Sequence, residues 1–548
     1  MLKHLFPGLS LSPLVLACSL WTPLAFAAPK PPQVDLVVYG GTASGVITAY
    51  SAAKEGLHVI LLEPRNHLGG MVTGGLSATD LGSFEIIGGY ARDFYTRAAA
   101  HYNVHTLAKH DDWLSEPHVG EEIFRAMLKE AGVDVRFHEK LAERSGVTLA
   151  AKHVTSIKTM DGKVWKAKIF ADCSYEGDVM AQAGVKYTLG REGIAEYGED
   201  LAGVRAQTPA HQFTWPLNAY DDQHKLLPEI SPGPLDAPGS ADKKVQAYNF
   251  RMILTHDPAN QVAYPKPASY DPARFALLRR YLTEFEKNKG RAPNFHDVVN
   301  PVKIPNQKAD FNNNGPVSTD YIGHTWNYPD GSYATKQKIW DDTAQYTQAF
   351  FYFLAHDASV PPNLQKEVNE WGLSKDEFQD NGYFPNQLYI REGRRMVGVY
   401  VMRQTDLQTT RTKPDSIGMG SYQSDSHNIQ RVAREDGTAT NEGDVQVAVK
   451  PYEIPVGVLL PQKEQVENLL IPVCLSASHV AYSSVRMEPQ YMIIGQAAGV
   501  VASLAIQNKT AVQDVPVGIL QEKLRAHKAV LNLQDAEANP KAPKGSRH

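Results

Sequence analysis

Hydrophobic positions along the chain fall into two regimes. From Val34 to Tyr39 a β-branched run reads as a buried parallel strand. Gly40 to Gly45 form a turn, and "ASGVITAYSAAKEG" has the small-residue pattern of a crossover helix closed by Gly56. "HVILLEP" is then a second buried strand ending in an acidic residue. The unit spans about thirty residues, the size of one mononucleotide-binding half. Further on, "GEEIFRAMLKEAGVDVRFHE" reads as a helix and a strand. "VTSIKTMDGKVWKAKIFADCSYEGD" reads as a hairpin turning at Asp161-Gly162, then a buried strand at Lys168 to Asp172. From about residue 190 to 440 the regularity fades into Tyr-, Trp-, Asn- and Pro-rich sequence. It holds irregular loops such as "NFHDVVNPVKIPNQKADFNNNGPVS" and helices such as "DDTAQYTQAFFYFLAHD". From "LLIPVCLSAS" onward an apolar strand returns, followed by a long small-residue helix, "MEPQYMIIGQAAGVVASLAIQ". The pattern predicts an α/β first domain interrupted by an inserted, substrate-covering one. The boundaries fall at 28–190, 191–440 and 441–534, and 535–548 reads as a disordered tail.

Length and charge narrow the classes. At 548 residues the chain is too long for one compact core. A net charge of −5 gives no basic footprint for nucleic acid and no polybasic membrane patch. Residues 1–27 carry one charged side chain, Lys3, ahead of "LSLSPLVLACSLWTPLAFA", whose Ala25-Phe26-Ala27 is a small-x-small cleavage signal. Pro13 and Pro23 break the run, so a cleaved leader is expected, and with it a periplasmic or secreted address without stable membrane insertion. If export is through the unfolded route, any cofactor is collected afterwards. Cleavage leaves Cys173 and Cys474, both in apolar contexts that suit buried small hydrophobes. No His-x-x-x-His or Cys-x-x-Cys spacing points to a metal.

"DLVVYGGTASGVITAY" almost spells a dinucleotide fingerprint, with Thr42 where the second glycine of G-x-G-x-x-G stands. The phosphate in such a turn is held by backbone N–H groups at the helix N-terminus, and a hydroxyl can add a donor. Glu63 follows Gly45 by 18 residues, where an acid takes a ribose 2′-hydroxyl and opposes a 2′-phosphate. On this motif alone, a cofactor-free βαβ unit remains open. The next residues, "EPRNHLGGMVTGGLSATD", set paired glycines directly after the acid, where backbone can lie against a flat, extended ligand.

At this point the chain resembles the bacterial FAD-dependent oxidoreductases with the glutathione-reductase-like flavin fold. Four further stretches carry the resemblance: "FADCSYEGDVMAQAGVKYTLGRE", "VQAYNFRMILTHDP", "NQLYIREGRRMVGVYVM" with "GSYQSDSHNIQR", and "LLIPVCLSASHVAYSSVRMEPQYMIIGQAAG". It implies a Rossmann-like FAD-binding domain of that type with an inserted α+β substrate-covering domain. It also implies FAD as cofactor. Gly40, Gly41, Thr42, Ser44, Gly45 and Glu63 look like the ADP-binding half, flanked by Pro64, Arg65, Gly69, Gly70 and Met71. Ala171, Asp172, Gly177 and Asp178 look like the second FAD-contacting strand and turn. Ser478-His479 through Gly495-Gln496 resembles the C-terminal motif beside the isoalloxazine, with a helix N-terminus facing the pyrimidine carbonyl.

No second Gly-rich βαβ unit is visible, so electrons are expected to enter from an organic substrate and leave to an external acceptor. Oxidising an alcohol needs a base for the hydroxyl proton while hydride leaves for the flavin, and histidine is the natural base. His479 is the first candidate, and the same residue also reads as a histidine bonded to a carbonyl in a packed turn. His427 is the second, either binding a substrate hydroxyl or fixing its loop through Asp425. Arg391 and Glu392 either bracket flavin or substrate, or pair with each other. Asn386, Gln387, Tyr321, Trp326 and Tyr328 suit a sugar or polyol, although aromatic clusters are also plain core. His67 and Cys474 are candidates for a covalent flavin bond. The competing functions are a fumarate-reductase-like reductase with Arg391 or Arg486 as proton donor, and a non-catalytic carbohydrate-system accessory protein.

Overall fold

The computed structural model describes residues 34–205, 208, 210–408 and 411–537. The leader read over residues 1–27 and the tail beyond Glu537 lie outside the described residues. Strand β1 (Leu36–Tyr39), helix α1 (Ala43–Lys54) and strand β2 (Val59–Glu63) form where the apolar pattern places them, and every residue of both strands is buried. Helix α2 (Pro117–Glu130) and strand β3 (Asp134–Phe137) follow, then strand β4 (Ile169–Asp172). Strand β5 (Leu469–Leu470) joins after the insertion, giving a parallel sheet in the order β5-β4-β1-β2-β3. Leu36 pairs with Val59 on one side and Ile169 on the other, which brings the ends of β1, β2 and β4 side by side. This is the strand order of a mononucleotide-binding half, with ligands expected at the carboxyl ends of the strands.

A helix of the inserted segment, α3 (Tyr333–His356), and the closing helix α4 (Glu488–Asn508) complete the frame. Small residues let α4 lie directly on α1. A Cβ on Gly495 would stand 2.6 Å from the Ser44 carbonyl oxygen, and one on Gly499 2.6 Å from Ser51 Cβ. Helix α4 is also long and apolar enough to cross a membrane, yet 94% of its apolar window is buried inside the protein. It is a core helix, and its composition reflects burial on all sides.

The hairpin read around Asp161-Gly162 is present, His153–Lys158 pairing with Val164–Trp165. The inserted region is more ordered than its sequence suggests. Met252–Thr255 stands at the centre of a five-stranded antiparallel sheet with Gln261–Val262, Gly372–Ser374, Lys308–Asn313 and Val299–Ile304. The last two occupy the stretch read as irregular loop. They form a hairpin whose turn residues Asn306 and Gln307 take left-handed backbone, and Phe311 packs edge-on against Trp371 with ring centroids 4.9 Å apart. The boundary placed at 440 falls inside a strand. The pairs 416–420 with 452–455, 424–426 with 445–447, and 430–433 with 439–442 are nested around one turn. The expected tail begins too early as well. Asn532 caps a last short helix, Leu533–Ala536, and Asp535 pairs with Arg525 at 3.1 Å.

Candidate functional site

A cleft of about 290 Å³ opens at the carboxyl ends of β1, β2 and β4, lined by Gly40, Thr42, Glu63, Arg65, Ser174 and Asp178 among others. Its floor is the glycine turn. Gly40 has φ +97°, and a Cβ there would stand 2.7 Å from the Ser174 backbone nitrogen, so only glycine fits. A Cβ on Gly45 would lie 1.9 Å from the Gly40 carbonyl oxygen, which fixes this position as the helix–turn packing glycine. Glu63 accepts hydrogen bonds from the Gly41 and Arg65 N–H groups, both at 2.7 Å. Burial raises its carboxyl to about 7. A second, smaller pocket continues the cleft past Gly41, Gly70, Thr73 and Gly74 toward Asn386 and Gln387.

Thr42 answers the irregularity in the fingerprint. Its hydroxyl accepts the Gly45 N–H as the helix N-cap and donates to the Cys173 carbonyl at 2.8 Å. The hydroxyl hydrogen is therefore committed to strand β4. The extra phosphate donor anticipated from the sequence is not offered, and the backbone N–H groups of α1 carry that role.

Beyond Gln387 the chain leads into a buried polar cluster. Tyr389 accepts a hydrogen bond from Arg486 at 2.9 Å, and Arg486 stands two residues before the first residue of α4. Arg391 also lies over the Tyr389 ring, 4.5 Å from its centroid. Arg391 Nη2 is 3.1 Å from Asp320 Oδ1, an ion pair out of line for a hydrogen bond. The other Asp320 oxygen meets His427 Nδ1 at 2.6 Å. Burial pushes the Asp320 carboxyl up, but Arg391 and His427 outweigh this and hold it well below the usual carboxylate range. Burial, then Arg391, lowers His427 to about 3, so the imidazole is neutral with its proton on Nδ1 and a free lone pair on Nε2. Asp425 stands 4.0 Å from that nitrogen, its carboxyl raised by burial to about 7. Gln246 joins this dyad to a second one. It accepts the His427 backbone N–H at 3.1 Å and donates to Glu392 at 2.9 Å, and Glu392 meets His479 Nδ1 at 2.8 Å.

The predicted residues divide. His427 and Arg391 come together on Asp320. His479 stands in the neighbouring dyad, lowered to about 3 by burial and then Arg395. Arg391 and Glu392 do not pair with each other, since Glu392 bonds Arg395 and His479. His427 is held by Asp320, not by Asp425. Ser478 caps the helix at His479 and donates to Glu199 at 2.6 Å, away from the cleft, and Gln496 accepts the Tyr90 N–H at 2.8 Å. Asp172 is spent on Ser174 and the Met180 N–H, and Ala171 is interior strand. Tyr321 is core, stacked between His324 and Tyr346 at 4.0 and 4.6 Å, and Trp326 donates to the Ile429 carbonyl. Tyr328 lines the dinucleotide cleft, not a substrate site, and bonds Glu176. His67 has a carboxylate on each ring nitrogen, Glu121 and Asp380, both at 2.9 Å. The Cys474 thiol is raised by burial well above its ordinary value. Neither is presented as a nucleophile.

Residues missed from the sequence include Asp320, Tyr389 and Gln246, and on the cleft Tyr175, Tyr333, Lys336 and Trp340. Asp320 lies 107 positions from its histidine, and no local spacing signals such a pair. One histidine–carboxylate group of metal-like spacing, Glu116, His118 and Glu377, surrounds Lys308, whose ammonium is 2.6 Å from Glu116 and 2.8 Å from Glu377.

The arrangement fits an extended dinucleotide. A glycine cradle and a helix N-terminus face the cleft. Buried polar atoms without partners, Ser44 Oγ, Glu488 Oε2 and both amide atoms of Gln490, lie at the N-terminal ends of α1 and α4. A family profile described as "FAD dependent oxidoreductase" matches residues 35–524. Among curated proteins nothing matches the chain. Solved structures that resemble it include the L-amino acid deaminase from Proteus vulgaris, at 14% identity over 30% of this chain and 53% of that one, TM-score 0.23. Others are THI4 from Thermovibrio ammonificans (17% identity, 29% of this chain, 66% of that one, TM-score 0.22) and the p-nitrophenol 4-monooxygenase PnpA from Pseudomonas putida DLL-E4 (16%, 29%, 45%, TM-score 0.20). The chain thus spans about half the length of these structures, and overlaps this small leave the fold assignment to the sheet order and the family match.

Proposed function

Since the chain belongs to the FAD dependent oxidoreductase family and uses FAD, we propose that it is an exported enzyme that oxidises a sugar, polyol or related alcohol. FAD, when bound, supplies the acceptor for a hydride from the substrate carbon. In this reading His427 Nε2 takes the hydroxyl proton. Asp320 holds the ring in the required tautomer and stabilises the imidazolium that forms, while Arg391 keeps Asp320 ionised. His479, with its own carboxylate partner, is the second candidate for the base.

One observation carries the substrate class. Around His427 the buried atoms without hydrogen-bond partners are mixed in kind: Arg391 Nε and Arg486 Nε are donors and Asn249 Oδ1 an acceptor, while Arg391 Nη2 and Asp320 Oδ1 face each other as an ion pair. Hydroxyl groups both donate and accept, so a polyhydroxylated molecule satisfies such a set. Two of the cations here are paired closely with acids, Arg251 with Asp310 at 2.8 Å and Arg391 with Asp320 at 3.1 Å, and Arg486 stands 4.0 Å from Asp425. A dicarboxylate, which needs excess positive charge, is served less well. Electrons would leave to an external acceptor, and the leader over residues 1–27 supports a periplasmic or secreted address.

A reductase of an activated double bond is the second reading, with the buried Arg391, whose pKa is lowered by burial, as the candidate proton donor. The two separate in one experiment. The visible spectrum of the purified protein is followed anaerobically as sugars and polyols are added. Bleaching by one class supports alcohol oxidation. Flavin untouched by alcohols, but reoxidised by unsaturated acids after chemical reduction, makes it a reductase.

A further inference from the structure

The cleft at the strand ends has a roof that the dinucleotide unit does not supply. Tyr333, Lys336, Gln337 and Trp340 recur at i, i+3, i+4 and i+7 along the first two turns of α3, and all four line the cleft. Ser332 caps this end, its hydroxyl accepting the Thr335 N–H. Three anchors hold it down, each on a loop that leaves a different strand of the parallel sheet. Trp340 meets Arg65, just after β2, with the guanidinium 3.6 Å from the ring centroid. Tyr333 meets the loop after β3, its N–H donating to Glu143 at 2.6 Å and its hydroxyl to the Leu141 carbonyl at 3.0 Å. Lys336, largely buried, meets Asp178 after β4 at 2.9 Å.

We propose that the inserted segment supplies half of the FAD site, with Trp340 and Arg65 forming the stacking platform for the adenine and the first two turns of α3 closing over the ADP moiety. Glu63 marks the ribose position, and the glycine turn beside it marks the pyrophosphate. The cleft beyond Glu63 is walled by Arg65, Lys140 and Trp340, and this is where the base must lie. An indole and a guanidinium both present planar faces suited to a purine. Lys140, whose ammonium sits 4.1 Å from the Tyr333 ring centroid, closes the same end. The insertion is then part of the cofactor site, and FAD leaves only when α3 lifts from its three anchors.

The test is FAD release from the holoenzyme, read as free-flavin fluorescence after rapid dilution. Trp340→Ala should release FAD at least tenfold faster than the wild type, and Trp340→Phe, which keeps a flat face, within threefold. Trp326→Phe, outside the cleft, should match the wild type. Release from Trp340→Ala at the wild-type rate overturns the proposal. If Trp340→Ala fails to fold, hydrogen exchange on the wild-type chain decides. Amides 336–341 should gain protection when FAD is added back to deflavinated protein. A gain confined to residues 40–45 and 63–70 overturns it. A third readout concerns the base: wild type should prefer FAD to FMN, Trp340→Ala should lose much of that preference, and Trp340→Phe should keep it.

Discussion

The dinucleotide cleft and the polar cluster behind it are built on opposite plans. The floor of the cleft comes from one short stretch, Gly40 through Arg65, and works through backbone: a turn, a helix N-terminus, and glycines where a Cβ would collide. The cluster comes from side chains brought in by remote segments, Asp320, Tyr389, Arg391, Asp425, His427 and Arg486, every one tied to another. Backbone recognition of a phosphate tolerates few residues at few positions, so it leaves a contiguous trace in sequence. A site that must hold a varied substrate uses side chains, and the fold can draw these from anywhere. The phosphate-binding floor of the cleft is therefore set by the local unit, and the polar cluster by the assembly of the whole chain.

That contrast breaks most severely at Gly45. Gly45→Ala places a methyl 1.9 Å from the Gly40 carbonyl oxygen, a backbone atom that cannot turn aside. The purified variant should carry essentially no flavin absorbance, whereas substitutions in the cluster should leave the protein yellow. His427→Gln is the matching change there. It should keep FAD and slow flavin reduction by about 10²–10⁴-fold, the usual contribution of a positioned base. Should it lose FAD instead, cofactor and chemistry are not separate. His479→Gln should slow reduction by less than His427→Gln, and the ratio of the two rates ranks the dyads.

A pH series sharpens the same division. His427 is lowered from 6.5 to about 3 in the folded chain, by burial first and Arg391 second. The unfolded chain binds a proton there below about 6.5 and the folded one does not, so the stability this residue contributes is complete above 6.5. It is lost as pH falls from 6.5 toward 3, by up to about 1.4 kcal/mol per pH unit for one proton. Urea denaturation at stepped pH should show a shallower acid loss in His427→Gln than in the wild type. The acid limb of kcat/KM should likewise fall well below 6.5. The smallest effect is at the fingerprint. Thr42→Ala should cost about 1 kcal/mol as a lost helix cap. Thr42→Ser should restore the stability, and neither should change FAD affinity more than a few-fold, because the hydroxyl hydrogen points to Cys173.

The parts of the fold legible in the sequence were those with a local period. Strands β1 and β2, the crossover helix, the hairpin at Asp161-Gly162 and the buried helix α4 stand where apolar pattern and turn residues put them. The hairpin Val299–Ile304 with Lys308–Asn313 was not legible. Pro301 and the asparagines hide its period, and its pairing with Met252–Thr255 comes from far along the chain. Helix α3 shows the same limit at finer scale. Its aromatic half is plain from Asp341 onward, but the two turns that roof the cleft, Tyr333 to Trp340, carry polar residues that disguise a helix. Among site residues, Glu63 follows from strand length and His427 from its chemistry. Asp320, which holds His427, is a tertiary contact with no signature.

The most direct test of the account is single-turnover flavin reduction, followed anaerobically by stopped flow with the polyol or sugar that bleaches the protein best. It is run on the wild type, His427→Gln and His479→Gln, all loaded with FAD. The account predicts a wild-type rate that His427→Gln lowers by at least about 10²-fold with FAD retained, and a smaller loss for His479→Gln. Equal rates in the wild type and His427→Gln, or flavin that no alcohol reduces, would contradict it.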